Sequence, residues 1–460
     1  MAGLSDMLGI GEAPDRAGGA AGRGPRHRAG GAAAMNVIAL TRARQLPPAL
    51  APLPCCRICG AALSRSFVDL GRTPLANAFV TPAQALLGQD RAWNLHARVC
   101  DVCLLVQLDT IVPPDGIFSD YVYLSSTSSS WVAHARRYTQ AMIRRFGLNE
   151  GSLVVEVASN DGYLLQHFIE AGIPVLGIEP AANIAAIARK RGVPTQIAFF
   201  GAATARGFAA SGLRADLLVA NNVLAHVPDV TGFVAGVAHV LGQQGVATFE
   251  VPHLLRLIED VQFDTIYHEH YSYFSLLVIE RLLLAAGLRA FDVEELPTHG
   301  GSLRVFVCHG AAAFAERPGL ARVRAAERAA RLDRPEGYAG FAPRVARVQQ
   351  GFRDFLRAER RARHRVVGYG AAAKASTLLN TCGVAEADMP YIVDRSPAKQ
   401  FRLVPGCHIP VLPPQTLFTE RPDSVVILPW NLAGEIAAEL DPLRQRGTRL
   451  WVAVPELRPV

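Results

Sequence analysis

Four short apolar runs, Leu153–Ala158, Val175–Glu179, Leu217–Ala220 and Val246–Val251, are each separated from the next by enough amphipathic chain for a helix. Strands joined by helical crossovers return parallel, so these runs predict a parallel sheet with helices on both faces. Two further runs, Leu288–Val293 and Leu303–Val307, lie too close for a crossover. Pro297 and the pair Gly300–Gly301 stand between them, so they read as a hairpin-like pair at the end of the sheet. A second series, Val366–Gly368, Tyr391–Val393, Val425–Leu428 and Leu450–Val454, repeats the α/β pattern in a smaller C-terminal unit.

A chain of 460 residues exceeds one ordinary core. The composition shifts divide it into an Ala/Gly/Arg-rich extension at 1–53, a cysteine module at 54–129, the larger α/β unit at 130–320, an Arg-rich segment at 321–364 and the second α/β unit at 365–460. The extension reads as disordered, with Met35 a candidate true start, and is left out of fold reasoning. Between Arg322 and Arg365 stand 13 basic and 5 acidic residues, which accounts for the whole net charge of +7. That excess reads as a solvated helical linker rather than a nucleic-acid surface. No apolar run approaches the ~18 residues of a membrane span. With no export signal the expected location is cytoplasmic, where eight cysteines point to a metal site or buried thiols rather than disulfides.

Cys56-Arg-Ile-Cys59 and Cys100-Asp-Val-Cys103 are two C-x2-C knuckles, the spacing of a structural zinc site with four thiolates. The 40 intervening residues exceed a minimal ribbon and predict a small sheet between the knuckles. Cys55 has the wrong spacing to Cys59. A closed shell of four protein ligands leaves no position for catalysis.

Val154 to Tyr163 reads as strand, tight turn and helix start, with Glu156, Ala158, Asn160, Asp161 and Gly162 around the turn. Glu179 ends the next strand, where a carboxylate can take both hydroxyls of a ribose. That suits a nicotinamide dinucleotide and S-adenosylmethionine alike. The turn lacks G-x-G-x-x-G and keeps side chains at 158, 159 and 160, which disfavours a pyrophosphate. The third strand runs into Asn221 and Asn222, and His226 follows as either a cleft residue or a core histidine. The hairpin-like end of the sheet likewise favours a class I methyltransferase over a plain dinucleotide fold.

The knuckles are followed in order by Tyr123-Leu124-Ser125-Ser126, Glu156–Gly162, Asn221–Pro228, Tyr267-His268-Glu269-His270-Tyr271, His299-Gly300-Gly301-Ser302-Leu303-Arg304, Gly368-Tyr369-Gly370-Ala371-Ala372-Ala373-Lys374 and Pro429-Trp430-Asn431. In that order and spacing they resemble the zinc-containing sugar-nucleotide 3-C-methyltransferases of branched deoxysugar biosynthesis, over roughly residues 54–460. The resemblance implies an S-adenosylmethionine-dependent enzyme acting at C3 of a thymidine-diphosphate 4-keto-6-deoxyhexose, a small-molecule partner with neither nucleic acid nor membrane. It implies an enolate formed by His270 as base, with Glu269, Tyr123 and Tyr267 beside it; Tyr121 stands in reserve for Tyr123, and His268 and His299 follow. It further implies that the C-terminal domain closes over the cleft and helps to hold the nucleotide.

In that domain the residues read as a strand, a glycine turn and a helix whose start, with Lys374, favours an anion. Gly370, Lys374, Lys399 and Asn431, with His299, are the candidate substrate contacts; Asp394, Gln400, Arg402 and His408 lie nearby. The sequence leaves two rivals: a two-Rossmann NAD-dependent sugar-nucleotide oxidoreductase, and a zinc-containing RNA methyltransferase. The first lacks its glycine fingerprint, and the second predicts basic residues interleaved with aromatics around the knuckles, where residues 54–110 instead hold a near balance of charge.

Overall fold

The computed structural model describes residues 53–113 and 124–460. Tyr121, Tyr123 and the extension before Leu53 lie outside the described residues.

Val154–Val157 is buried along its whole length, and Val175–Ile178 and Ala215–Asn221 over most of theirs, as strands covered on both faces must be. With Thr195–Gln196, Leu241–Pro252, Leu288–Leu296 and Ser302–His309 they form a seven-stranded sheet. Numbered along the chain, its order is 3-2-1-4-5-7-6. The first five strands are parallel, and Ser302–His309 inserts antiparallel between Leu241–Pro252 and Leu288–Leu296. This is the class I methyltransferase sheet, and the hairpin expected around Pro297 and Gly300–Gly301 is what turns its last strand, Ser302–His309, antiparallel to both neighbours. Helix Ser129–Phe146 starts where the Ser128 hydroxyl accepts from the Trp131 amide and stops at left-handed Gly147. Its buried Ala135, Tyr138 and Met142 lie against the sheet.

Arg65–Pro74, Ala92–Val99 and Val106–Leu108 make an antiparallel sheet in the cysteine module. Its fourth strand, Ser272–Tyr273, belongs to the methyltransferase segment of the chain. The C-terminal unit has a six-stranded sheet in the order Val411–Leu412, Ile392–Val393, Val366–Tyr369, Ser424–Ile427, Arg449–Val452 and Arg458–Pro459, parallel except at the last strand.

The Arg-rich segment is helical but is no solvated linker. Helices Pro318–Ala329 and Phe341–Arg361 bury Leu320, Val323, Val345, Val348 and Phe352, leaving Arg322, Arg328, Arg347 and Arg357 on their outer faces. Apolar residues recur at helical spacing among the arginines, a stripe that a count of net charge conceals. Phe341 stacks on Phe67 of the cysteine module, ring centroids 4.4 Å apart. Among the described residues no helix is long and apolar enough to cross a membrane.

Glu327 ties this segment to the larger α/β unit. Its fully buried carboxylate accepts from the Leu276 amide at 2.6 Å, the Leu277 amide at 3.0 Å and His253 Nε2 at 2.8 Å. It thus caps helix Leu276–Ala285 from a distant helix. Glu327→Ala strands three buried donors and should cost about 3 kcal/mol, read as a lower midpoint in denaturant with little change in slope.

Candidate active site

The four cysteines of the knuckles converge. Their sulfur atoms all lie within 4.8 Å of one another, with Cys56–Cys103 at 3.4 Å and Cys59–Cys100 at 3.5 Å. A zinc ion about 2.3 Å from each sulfur sets tetrahedral edges of about 3.8 Å, so the group fits. The Val102 and Cys103 amides point at Cys100 Sγ, and Gln107 Nε2 donates to Cys56 Sγ at 3.1 Å, which favours thiolates. Cys55 is exposed and outside the cluster.

At the carboxyl edge of the large sheet, Ala158, Asn160 and Gly162 all adopt positive φ, so the chain doubles back tightly after Val157. A Cβ on Gly162 would come within 2.7 Å of Val193, which explains glycine there. Glu179 accepts from the amides of Asn160 and Ala181, both at 2.9 Å. Asn160 Oδ1 accepts from the Ser125 amide at 2.8 Å, and the Ser126 hydroxyl donates to Asp161. Arg191 reaches the same Asp161 carboxylate at 2.9 Å. Burial, together with the charges of Glu179 and Asp161, holds the Glu156 carboxyl well above its ordinary range. Burial also raises Glu179. Glu156 Oε2, Asp161 Oδ1, Asn221 Oδ1 and Asn222 Oδ1 are buried acceptors with no protein donor. A cleft of carboxylates and bare acceptors suits the sulfonium, ammonium and hydroxyl groups of S-adenosylmethionine, and repels a pyrophosphate.

The segment between Thr265 and Tyr273 packs against Ala225 and His226, which follow Asn221 and Asn222. His270 Nδ1 lies 2.9 Å from the Thr265 carbonyl and Nε2 lies 2.9 Å from the Tyr267 hydroxyl. A carbonyl can only accept, so Nδ1 carries the proton, and the Nε2 lone pair accepts from the phenol. Burial and the nearby His226 hold His270 well below the ordinary histidine range. The His226 ring stands edge-on to it at 4.7 Å, and burial pushes His226 down to about 4. Glu269 accepts from Asn77 Nδ2 at 2.7 Å, and burial pushes its carboxyl up to about 7.

From the C-terminal unit, Lys374 comes within electrostatic reach of His270 and His299. Lys374 donates to Asn431 Oδ1 at 2.7 Å, and its ammonium lies 4.3 Å from the centre of the Trp430 ring. The Trp430 indole donates to Asp264 at 2.7 Å. Burial raises the Asp264 carboxyl to about 6, opposed by the Lys374 charge. Lys399 donates to the Ala371 carbonyl at 2.9 Å and lies over the Phe79 ring.

Three family models match consecutive parts of the chain: "Putative zinc binding domain" over residues 56–118, "Methyltransferase domain" over 131–293 and "C-methyltransferase C-terminal domain" over 297–455. C-methyltransferase NovU of Streptomyces niveus is 36% identical over 409 residues, 89% of this chain and 97% of NovU. The chain belongs to the C-methyltransferase family. It is an S-adenosylmethionine-dependent C-methyltransferase with a zinc-binding module. Among solved structures, a magnesium protoporphyrin IX methyltransferase of Synechocystis PCC 6803 with bound SAH is 14% identical, with a TM-score of 0.32 over 41% of this chain and 90% of that one. An S-adenosylmethionine-dependent methyltransferase of Clostridium acetobutylicum is 11% identical, with a TM-score of 0.30 over 38% and 90%.

In this C-methyltransferase several residues singled out by sequence are held by contacts that the sequence does not show. His268 Nε2 meets the Asn94 carbonyl at 3.2 Å in the cysteine module, away from the His226–His270 pair. His408 pairs with Asp90 at 2.7 Å, and Arg402 donates to the Phe79 carbonyl, so both tie the C-terminal unit to that module. Asp394 accepts from the Ala371 and Ser396 amides, and Gln400 donates to the Asp394 carbonyl. Gly370 has φ +88°, and a Cβ there would meet Pro429 at 2.6 Å. His299 is held at φ 55°, its ring 5.3 Å from that of Trp131. Asp264, Asn77 and Trp131 escaped the sequence reading, since none sits in a cluster of chemically suggestive residues. Proximity of Asp264 to Tyr267 was the one signal available.

The zinc site is closed by protein, so its loss should be felt as stability. Cys100→Ser should lose the metal and lower the thermal midpoint by several degrees, checked by elemental analysis and calorimetry on the same sample.

Proposed function

We propose that this C-methyltransferase acts on a nucleotide-activated 4-keto-deoxysugar and methylates C3 through an enolate, with His270 as the base. The observation that supports the reading is the tautomer of His270. Its protonated Nδ1 is anchored at Thr265, and its basic Nε2 faces the Tyr267 hydroxyl. A C–H next to a ketone is acidic enough for such a base only if the growing negative charge on oxygen meets a donor. Tyr267 can turn its O–H from Nε2 to that oxygen, freeing the imidazole lone pair as it does so. The proton leaves C3 for Nε2, its electron pair is held as the enolate, and that pair then bonds the methyl carbon as the methyl–sulfur bond breaks and S-adenosylhomocysteine leaves. S-Adenosylmethionine supplies that methyl as a sulfonium, held over Glu156–Gly162, Glu179, Asn221 and Asn222. Lys374, Lys399, Asn431, His299 and Gly370 are proposed to face the sugar nucleotide, with the nucleotide toward the C-terminal unit. The enzyme works in the cytoplasm on a diffusible small molecule.

Glu269 supports a second assignment of the base. A carboxyl raised to about 7 is half ionised at neutral pH, and it stands beside His270 in sequence. A base works deprotonated. If Glu269 removes the proton, kcat/KM falls as pH drops through about 7. If His270 does, its depressed pKa keeps the profile level across that range.

The test uses purified enzyme with thymidine-diphosphate 4-keto-6-deoxyglucose. His270→Ala should lower turnover about 10³-fold while calorimetric affinity for S-adenosylmethionine stays within about twofold. Near-parental turnover refutes the assigned base. Wild-type enzyme in D2O should wash deuterium into C3 without methyl transfer when S-adenosylhomocysteine replaces the methyl donor. Binding of NAD in place of S-adenosylmethionine would reverse the cofactor assignment.

A further inference from the structure

The zinc knuckle reaches the reacting segment through one side chain. Arg57 sits between Cys56 and Cys59, yet its guanidinium points away from the sulfurs. Nη1 donates to the Tyr271 carbonyl at 2.9 Å and Nη2 to the Leu108 carbonyl at 2.6 Å. The Arg57 amide donates to Gln107 Oε1 at 3.0 Å, while Gln107 Nε2 donates to Cys56 Sγ. Gln107 is fully buried, and one amide therefore joins the metal ligand to the arginine.

The receiving end is equally constrained. Gln107 and Val106 pair with Ser272 and Tyr273, and the Leu108 amide donates to the same Tyr271 carbonyl at 3.0 Å. On its other side the Tyr271 amide donates to the Ala225 carbonyl at 2.7 Å, next to His226. The Tyr271 hydroxyl donates to the Val112 carbonyl at 2.6 Å. Arg281 repeats the arrangement from the opposite knuckle, donating from helix Leu276–Ala285 to the Cys103 carbonyl at 2.9 Å. Glu269 and His270 immediately precede Tyr271, so an error of an ångström at Tyr271 is passed directly to both.

We propose that Arg57 is a positioning residue for the methyl transfer: seated on the metal-held knuckle, it fixes the Tyr271 carbonyl and so sets the placement of Glu269 and His270. This rests on the reading of that segment as the reacting one. The hydrogen bonds are charge-assisted and go to two carbonyls at once, a geometry that the fork of arginine satisfies and lysine can satisfy only in part. The strand pairing brings the two segments together, and the guanidinium locks the last residue of the turn against them. Misplacement of a reacting group by an ångström can cost about 10² in rate.

The test compares Arg57→Lys and Arg57→Gln with wild type as zinc-loaded full chains. Both variants should keep parental zinc content and bind S-adenosylhomocysteine within about twofold. Amide hydrogen exchange across Tyr267–Tyr273 should quicken about tenfold, while exchange in Val154–Val157 is unchanged. Turnover on the keto-sugar should fall about 10²-fold through kcat in the glutamine variant, with the lysine variant between. Parental exchange in that segment, or parental kcat alongside quickened exchange, overturns the proposal. So does loss of zinc in both variants, which would make Arg57 a part of the knuckle's own fold. Glu269→Gln and His270→Ala run in parallel; parental turnover in both removes the reading of the segment without touching the exchange result.

Discussion

Val106–Leu108 meets Ser272–Tyr273 as neighbouring strands, and that short pairing fixes the end of the segment that carries Glu269 and His270. Two residues of ladder are weak by themselves. They hold because the cysteine module, whose other strands are longer, presents its edge to them, and because the Tyr271 carbonyl takes donors from both Leu108 and Arg57. The segment from Thr265 to Tyr271 contains turns rather than regular structure, so its geometry must come from outside. The knuckles provide a rigid outside reference, one that a small apolar core could not supply over so few residues.

Burial does the second part of the work. Glu156, Glu179, Asp264, Glu269, His226, His270, His299 and Lys374 are all shifted in the direction that opposes charge. Such shifts recur where groups lie in a dry cleft and are needed in particular protonation states. Two neighbours are separated by environment. Glu269, with one amide donor and a deep site, is held near neutrality, whereas His270 is kept uncharged with its proton fixed on Nδ1.

The sheet, its reversed last strand and the cysteine knuckles were legible because each is a local rule: period, turn residues and spacing act over a few residues. The Val154–Gly162 turn was legible for the same reason. What was hidden depends on contacts distant in sequence. Lys374 reads as a cation at a helix start, and the sequence does not show that Trp430 and Asn431 hold it there. Arg402 and His408 lie near the candidate substrate contacts in sequence, and they bind Phe79 and Asp90 of another module. Arg57 carries no signal at all, because a basic residue inside a knuckle is unremarkable until the position of Tyr271 is known. The Arg-rich segment was misjudged from its charge, while its apolar stripe at helical spacing was present to be counted.

Trp430 has one more implication. A Cβ on Gly300 would lie 2.4 Å from the indole, so the hairpin of the large sheet and the C-terminal unit interlock like a ball in a socket with no clearance. The same ring donates to Asp264 and lies under Lys374. Modules exchanged between relatives to alter substrate choice must therefore carry hairpin, Asp264 and tryptophan as one inheritable piece. A recombination point drawn between residues 300 and 430 would divide partners that fit only each other.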